Sequence, residues 1–126
     1  MNQPQPSIRM AARGDGVTAE GLHVAGAAPG DTIVPDGTVE HGSHHATPPC
    51  RHFGTCGGCD LQHLDDAALA GFITDRVRFA AEGQGLEITQ LLPTHVSPPH
   101  SRRRSTLHAM AAKSGTLLGF KERGSH

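Results

Sequence analysis

"SIRMAARGDGVTAEGLHVAGAAPGDTIVPDGTVE", residues 7–40, is cut into short apolar runs by Gly14-Asp15-Gly16, Glu20-Gly21, Pro29-Gly30-Asp31 and Pro35-Asp36-Gly37. Turn chemistry at such close intervals leaves room only for short strands. Ile8 and Met10 alternate with Arg9 in the first run, which predicts a strand with both apolar side chains on one face. A full five-stranded closed barrel needs more chain than this. The stretch therefore predicts a small, trimmed β-barrel within an α+β chain.

Composition agrees with small units. Among 126 residues there are sixteen glycines, nine prolines, four phenylalanines and no Trp or Tyr, and only 36% are apolar. Such material does not build a large core, and units this small normally need a staple. Net charge is -1, which predicts no global affinity for nucleic acid. The charge is unevenly placed, however. Residues 1–49 carry Arg9 and Arg13 against five acidic residues, whereas residues 100–126 carry Arg102, Arg103, Arg104, Lys113, Lys121 and Arg123 against Glu122 alone. The opening "MNQPQPSIRM" has no apolar run behind a basic start, and no segment reaches the ~20 apolar residues of a membrane span. The expectation is a cytoplasmic protein without membrane contact.

The staple is expected in "CRHFGTCGGCDLQH", residues 50–63, which holds all three cysteines, with five residues between Cys50 and Cys56 and two between Cys56 and Cys59. An odd number of clustered thiols fits a thiolate metal site in a reducing compartment better than a disulfide framework. Soft thiolates select zinc, copper(I) or iron-sulfur iron. Gly54, Gly57 and Gly58 let such a loop turn tightly and bring N–H groups toward sulfur. Two ligand sets remain open from the residues alone. His63 could complete a zinc site with Cys50, Cys56 and Cys59. Alternatively, a [4Fe-4S] cluster, usually held by four thiolates, would need a further cysteine.

Around this loop, "HGSHHATPP", residues 41–49, reads as a solvated linker. Asp65 is the expected N-cap of a helix that "EGQG", residues 82–85, would stop. Leu61, Leu64, Ala68, Phe72, Val77 and Ala80 form its expected apolar face, which would pack over the metal loop. "RRRSTLHAMAA", "KSGT" and "LLGFKE" predict a strand from Arg102, a turn at Ser114-Gly115 and a second strand. Two strands alone are marginal in water, so a missing domain is expected. Arginines at a strand start are commonly a solvated edge, though the forked guanidinium also suits phosphate and unpaired bases.

"PPCRHFGTCGGCDLQHL", residues 48–64, resembles the iron-sulfur signature of the bacterial uracil-5 RNA methyltransferases, which make 5-methyluridine in ribosomal and transfer RNA. "ARGDGVTAEGLHVAGAAPGDTI", residues 12–33, is similar to that family's N-terminal TRAM domain, an OB-like RNA-binding barrel. "RRRSTLHAMAA" and "LLGFKERGSH" resemble the opening strands of its central domain. The resemblance implies a reduced TRAM-like barrel over 1–40, a linker over 41–49, an iron-sulfur loop and helix over 50–85, and the start of a truncated central RNA-binding domain over 94–126. It implies Cys50, Cys56 and Cys59 as three ligands of a [4Fe-4S] cluster, with the fourth cysteine beyond His126. The implied RNA contacts are Arg102, Arg103, Arg104, Lys121 and Arg123, with ribosomal RNA placed ahead of transfer RNA and DNA not expected.

In that family a cysteine thiolate adds to uracil C6, C5 takes the methyl group of S-adenosylmethionine, and a base removes the C5 proton. The S-adenosylmethionine-binding domain, nucleophile and base match nothing in these 126 residues. The chain alone is therefore expected to be inactive. The alternative is a stand-alone zinc-binding RNA-binding or adaptor module built on Cys50, Cys56, Cys59 and His63.

Overall fold

The strands form where the turns permit, and they are short. In the computed structural model, which describes residues 2–125, β1 (Gln5–Met10), β2 (Gly16–Thr18), β3 (His23–Val24), β4 (Thr32–Ile33) and β5 (Val39–Glu40) make an antiparallel sheet in the order β3-β2-β1-β4-β5. The sheet curls into a half-barrel without a pairing between β3 and β5. Its interior holds Val17, Thr18, Ile33, Ala27 and Ser7. Gly16 is required here, because a Cβ at that position would fall 2.5 Å from Ser7 Oγ and 2.7 Å from Ala27 Cβ.

The alternation expected in β1 is broken at Ile8, while Arg9 is exposed and Met10 half-buried as expected. Ser7 pairs with Thr18 and Arg9 with Val17, a register shift that places a bulge at Ile8. A bulge adds one residue and re-aims those beside it. Ser7 is consequently buried and Ile8 is 56% exposed.

Asp65 caps α1 (Asp66–Glu82) as expected, accepting from Ala68 N–H at 2.8 Å, and Gly83 ends the helix. Only its first turns are covered: Leu64, Ala68 and Ala28 form a buried cluster flanked by Met10, Leu61 and Leu69. The helix thus packs on the half-barrel and on Leu61 and Leu64 at the end of the cysteine loop, not over the cysteines themselves. The second half of the expected apolar face is open, with Val77 56% exposed and Ala80 also exposed.

The final strands, β6 (His108–Ala112) and β7 (Gly115–Gly119), form a separate two-stranded sheet in register from His108↔Gly119 to Ala112↔Gly115. The turn is Lys113-Ser114, one residue earlier than expected, because Gly115 already pairs with Ala112. β6 starts at His108, so Arg102, Arg103 and Arg104 precede the strand instead of opening it. Among the described residues, no helix is long and apolar enough to cross a membrane.

Candidate cysteine site and its surroundings

The loop after Pro49 is built from tight backbone bonds. Phe53 N–H donates to Cys50 O at 3.1 Å and Cys56 N–H to His52 O at 2.9 Å, while Cys50 N–H reaches Gln62 Oε1 at 3.2 Å. Gly54 sits at φ +95°, a left-handed conformation that side chains disfavour. The three thiols are free; Cys50 and Cys59 are exposed and Cys56 is half-buried. Gly58 N–H points at Cys56 Sγ from 3.3 Å, the kind of donor that favours a thiolate.

Donor type, glycine placement and that N–H suit a soft metal or cluster, and the loop supplies three of the four sulfurs a cubane usually takes. The loop does not, however, gather its donors: among the described residues, no three His, Cys, Asp or Glu side chains converge into a group able to hold a metal ion.

His63 is half-committed, its buried Nδ1 having no hydrogen-bond partner among the described residues. It is 2% exposed, its Nε2–H donates to Ala27 O at 3.1 Å, and the Phe53 ring lies against it at 5.6 Å. Burial holds its pKa below the ordinary histidine value, against the opposing pull of the Ala27 carbonyl. With Nε2 on Ala27, a role as fourth zinc ligand would fall to Nδ1, and among the described residues no three donors are gathered for it.

The histidine-rich segment 41–49 is mostly exposed, yet it is pinned at Gly42, His44 and His45. Asp31, fully buried, accepts from Ala28 N–H, from Gly42 N–H and, at 2.6 Å, from His45 Nδ1. A carboxylate can only accept, so the His45 proton lies on Nδ1. Burial pushes the Asp31 carboxyl up, but these hydrogen bonds outweigh it and leave it below the ordinary carboxylate value. His41 stacks on His45 with ring centroids 3.5 Å apart, and His44 Nδ1 donates to the helix-capping Asp65 at 2.9 Å. The Ala68 N–H bond, followed by the His44 bond, keeps Asp65 below its ordinary value. Asp31 stood in a legible Pro-Gly-Asp turn, whereas nothing in the local sequence marked His45 as its partner.

The basic residues divide. Arg102, Arg103 and Arg104 are exposed and make no ion pair among the described residues, although Arg102 Nε–H donates to Arg104 O at 2.8 Å. Lys121 is exposed, and its carbonyl accepts Gly57 N–H at 2.7 Å. Arg123 is engaged, with Nη2 at 2.6 Å from Asp60 Oδ1. The sequence did not disclose that pair, which joins residues 63 positions apart.

Comparisons with known proteins return RNA methyltransferases. Over 119 residues the chain is 45% identical to a protein of Zymomonas mobilis named as an uncharacterised RNA methyltransferase, covering 94% of this chain and 30% of that protein. The chain is a homologue of bacterial RNA methyltransferases. A second such relative, from Agrobacterium fabrum, is 35% identical over 93% of this chain and 32% of its own length. A third, from Ralstonia nicotianae, is named 23S rRNA (uracil(1939)-C(5))-methyltransferase RlmD; it is 33% identical over 88% of this chain and 29% of its own length. The chain spans about 30% of the length of these RNA methyltransferases. No family model matches it.

Proposed function

We propose that the chain is the N-terminal portion of an S-adenosylmethionine-dependent RNA uracil-5 methyltransferase acting on ribosomal RNA, and that its cysteine loop carries a [4Fe-4S] cluster. The observation that carries this reading is the 94% coverage of the chain by an RNA methyltransferase relative, joined by the match to the named 23S rRNA uracil enzyme. On this reading residues 1–40 are a reduced RNA-binding barrel, 41–49 a connector, 50–85 the cluster loop with its helix, and 94–126 the opening of a central RNA-binding domain.

Cys50, Cys56 and Cys59 would hold the cluster, with a fourth ligand from outside the 126 residues. When bound, the cluster supplies a covalent cross-link through soft iron-sulfur bonds and leaves the methyl transfer, which has no net electron transfer, to other parts of the protein. Gly58 N–H orients the Cys56 sulfur, and the loop's backbone bonds keep its turn closed. The exposed guanidinium groups of Arg102, Arg103 and Arg104 and the ammonium of Lys121 offer donors to RNA phosphate.

Two preparations test this reading: the longer protein that contains this chain, and the 126-residue chain alone, each incubated with labelled S-adenosylmethionine and ribosomal RNA. The reading expects label at uracil C5 with the longer protein and none with the chain alone. Methyl transfer by the chain alone, or transfer to a base other than uracil by the longer protein, would overturn it.

A further inference from the structure

The segment after β7 turns back onto the cysteine loop. Gly57 N–H donates to Lys121 O at 2.7 Å and Arg123 N–H to Thr55 O at 2.8 Å, an antiparallel bridge centred on Cys56 and Glu122. Cys56 is thereby held on both sides of its own backbone. The Phe120 ring lies so close to Gly58 that a Cβ there would be 3.1 Å from it and 3.4 Å from Cys56 Sγ. Arg123 Nη2 closes the far end on Asp60, the residue next to Cys59. On its other side Asp60 abuts Gly14 of the β1–β2 turn, at φ +89°, so closely that a Cβ there would collide with the Asp60 carbonyl. The Cys56–Cys59 arm is therefore tied to residues 121–123 and abuts the half-barrel at Gly14.

We propose that Phe120–Arg123 is a clasp that sets the spacing of Cys56 and Cys59, with Arg123 a positioning residue acting through Asp60 rather than an RNA contact. A charge-assisted bond at 2.6 Å engages Nη2 and sets a carboxylate against the guanidinium charge, which disfavours a second anion there. The pair is partly exposed, so it acts by fixing geometry more than by adding stability. The bearing of this clasp on a bound cluster rests on the cysteine-site reading above; the clasp itself does not.

The test compares wild type with Arg123→Gln, Arg123→Lys, Gly57→Ala and the charge-swapped pair Asp60→Arg with Arg123→Asp. Amide hydrogen exchange over residues 55–59 is the first readout. We expect exchange about tenfold faster in Arg123→Gln and in Gly57→Ala, whose new Cβ would sit 2.8 Å from Lys121 O. Near wild-type rates are expected in Arg123→Lys and in the swapped pair. Wild-type exchange in both damaging variants, or a swapped pair no better than Arg123→Gln, would overturn the clasp.

Cadmium chloride, a soft probe read by its thiolate charge-transfer absorption, is the second readout. It should bind the two damaging variants at least about fivefold more weakly, with recovery in the swapped pair. If exchange behaves as expected but cadmium binds no form of the chain, the clasp stands and the metal reading falls. If cadmium binds every variant equally, the clasp does not set thiol spacing and the proposal fails.

Discussion

The half-barrel and the terminal hairpin are both antiparallel, yet they are held in opposite ways. The half-barrel has strands of two to six residues, too short to stand by pairing alone, and is fixed from inside by Asp31 and by buried Val17 and Ile33. The hairpin has two five-residue strands in continuous register, but Met110, Leu117 and Leu118 are 53–70% exposed. A two-stranded ladder without a covered apolar face is marginal in water. Regular pairing is therefore a poor guide to which part of this molecule is firmly built; buried, satisfied polar groups are a better one.

The contrast breaks most directly at Asp31. Asp31→Ala removes a buried acceptor of three hydrogen bonds and strands the His45 donor, a loss of about 3 kcal/mol or more. That is a large share of a typical 5–15 kcal/mol stability. Chemical denaturation should show the loss, and amide exchange should place it in β1–β5 rather than β6–β7.

A second prediction concerns what the exposed side is for. Replacing Arg102, Arg103 and Arg104 together with Ala should weaken binding to ribosomal RNA fragments and flatten the log–log salt slope by about one unit per lost phosphate contact. Thermal unfolding of the chain should be unchanged. A salt slope equal to that of wild type would make these arginines a solvated segment and nothing more.

Asp65→Ala should cost about 1 kcal/mol by uncapping α1, read as lost helical ellipticity and a lower unfolding midpoint. Asp65 and the helix stop were legible because capping is a local signal: an Asp before an apolar run and glycines after it. The shortness of the half-barrel strands was legible for the same reason, through their turns, but their number, five, was not. What was not legible depended on distant partners. The bulge at Ile8 follows from its pairing with β2, the docking of His45 from a carboxylate fourteen residues away, and the exposure of Val77 and Ala80 from the lack of an opposing surface among the described residues. The cysteine loop could be recognised from spacing and glycines, but its tie to Arg123 could not.

A smaller effect sharpens the interior side of the comparison. His63 is neutral in the fold with its pKa depressed by burial, while in the unfolded chain it takes a proton near pH 6.5. The unfolded state then binds more protons below about pH 6.5, so stability must fall as pH drops through that value toward the folded pKa. The unfolding midpoint should decline between pH 7.5 and 5.5, and His63→Phe should flatten that part of the profile. Smallest of all is Leu118→Ser in the hairpin, at a side chain 70% exposed, where a change within about 0.5 kcal/mol is expected.

The most direct test of the account is the iron, sulfide and zinc content of the longer protein containing this chain, purified and reconstituted without oxygen, beside its Cys56→Ser variant. The account predicts about four iron and four sulfide per molecule, lost or much reduced in the variant. One tightly held zinc with no sulfide, or iron that survives loss of Cys56, would contradict it.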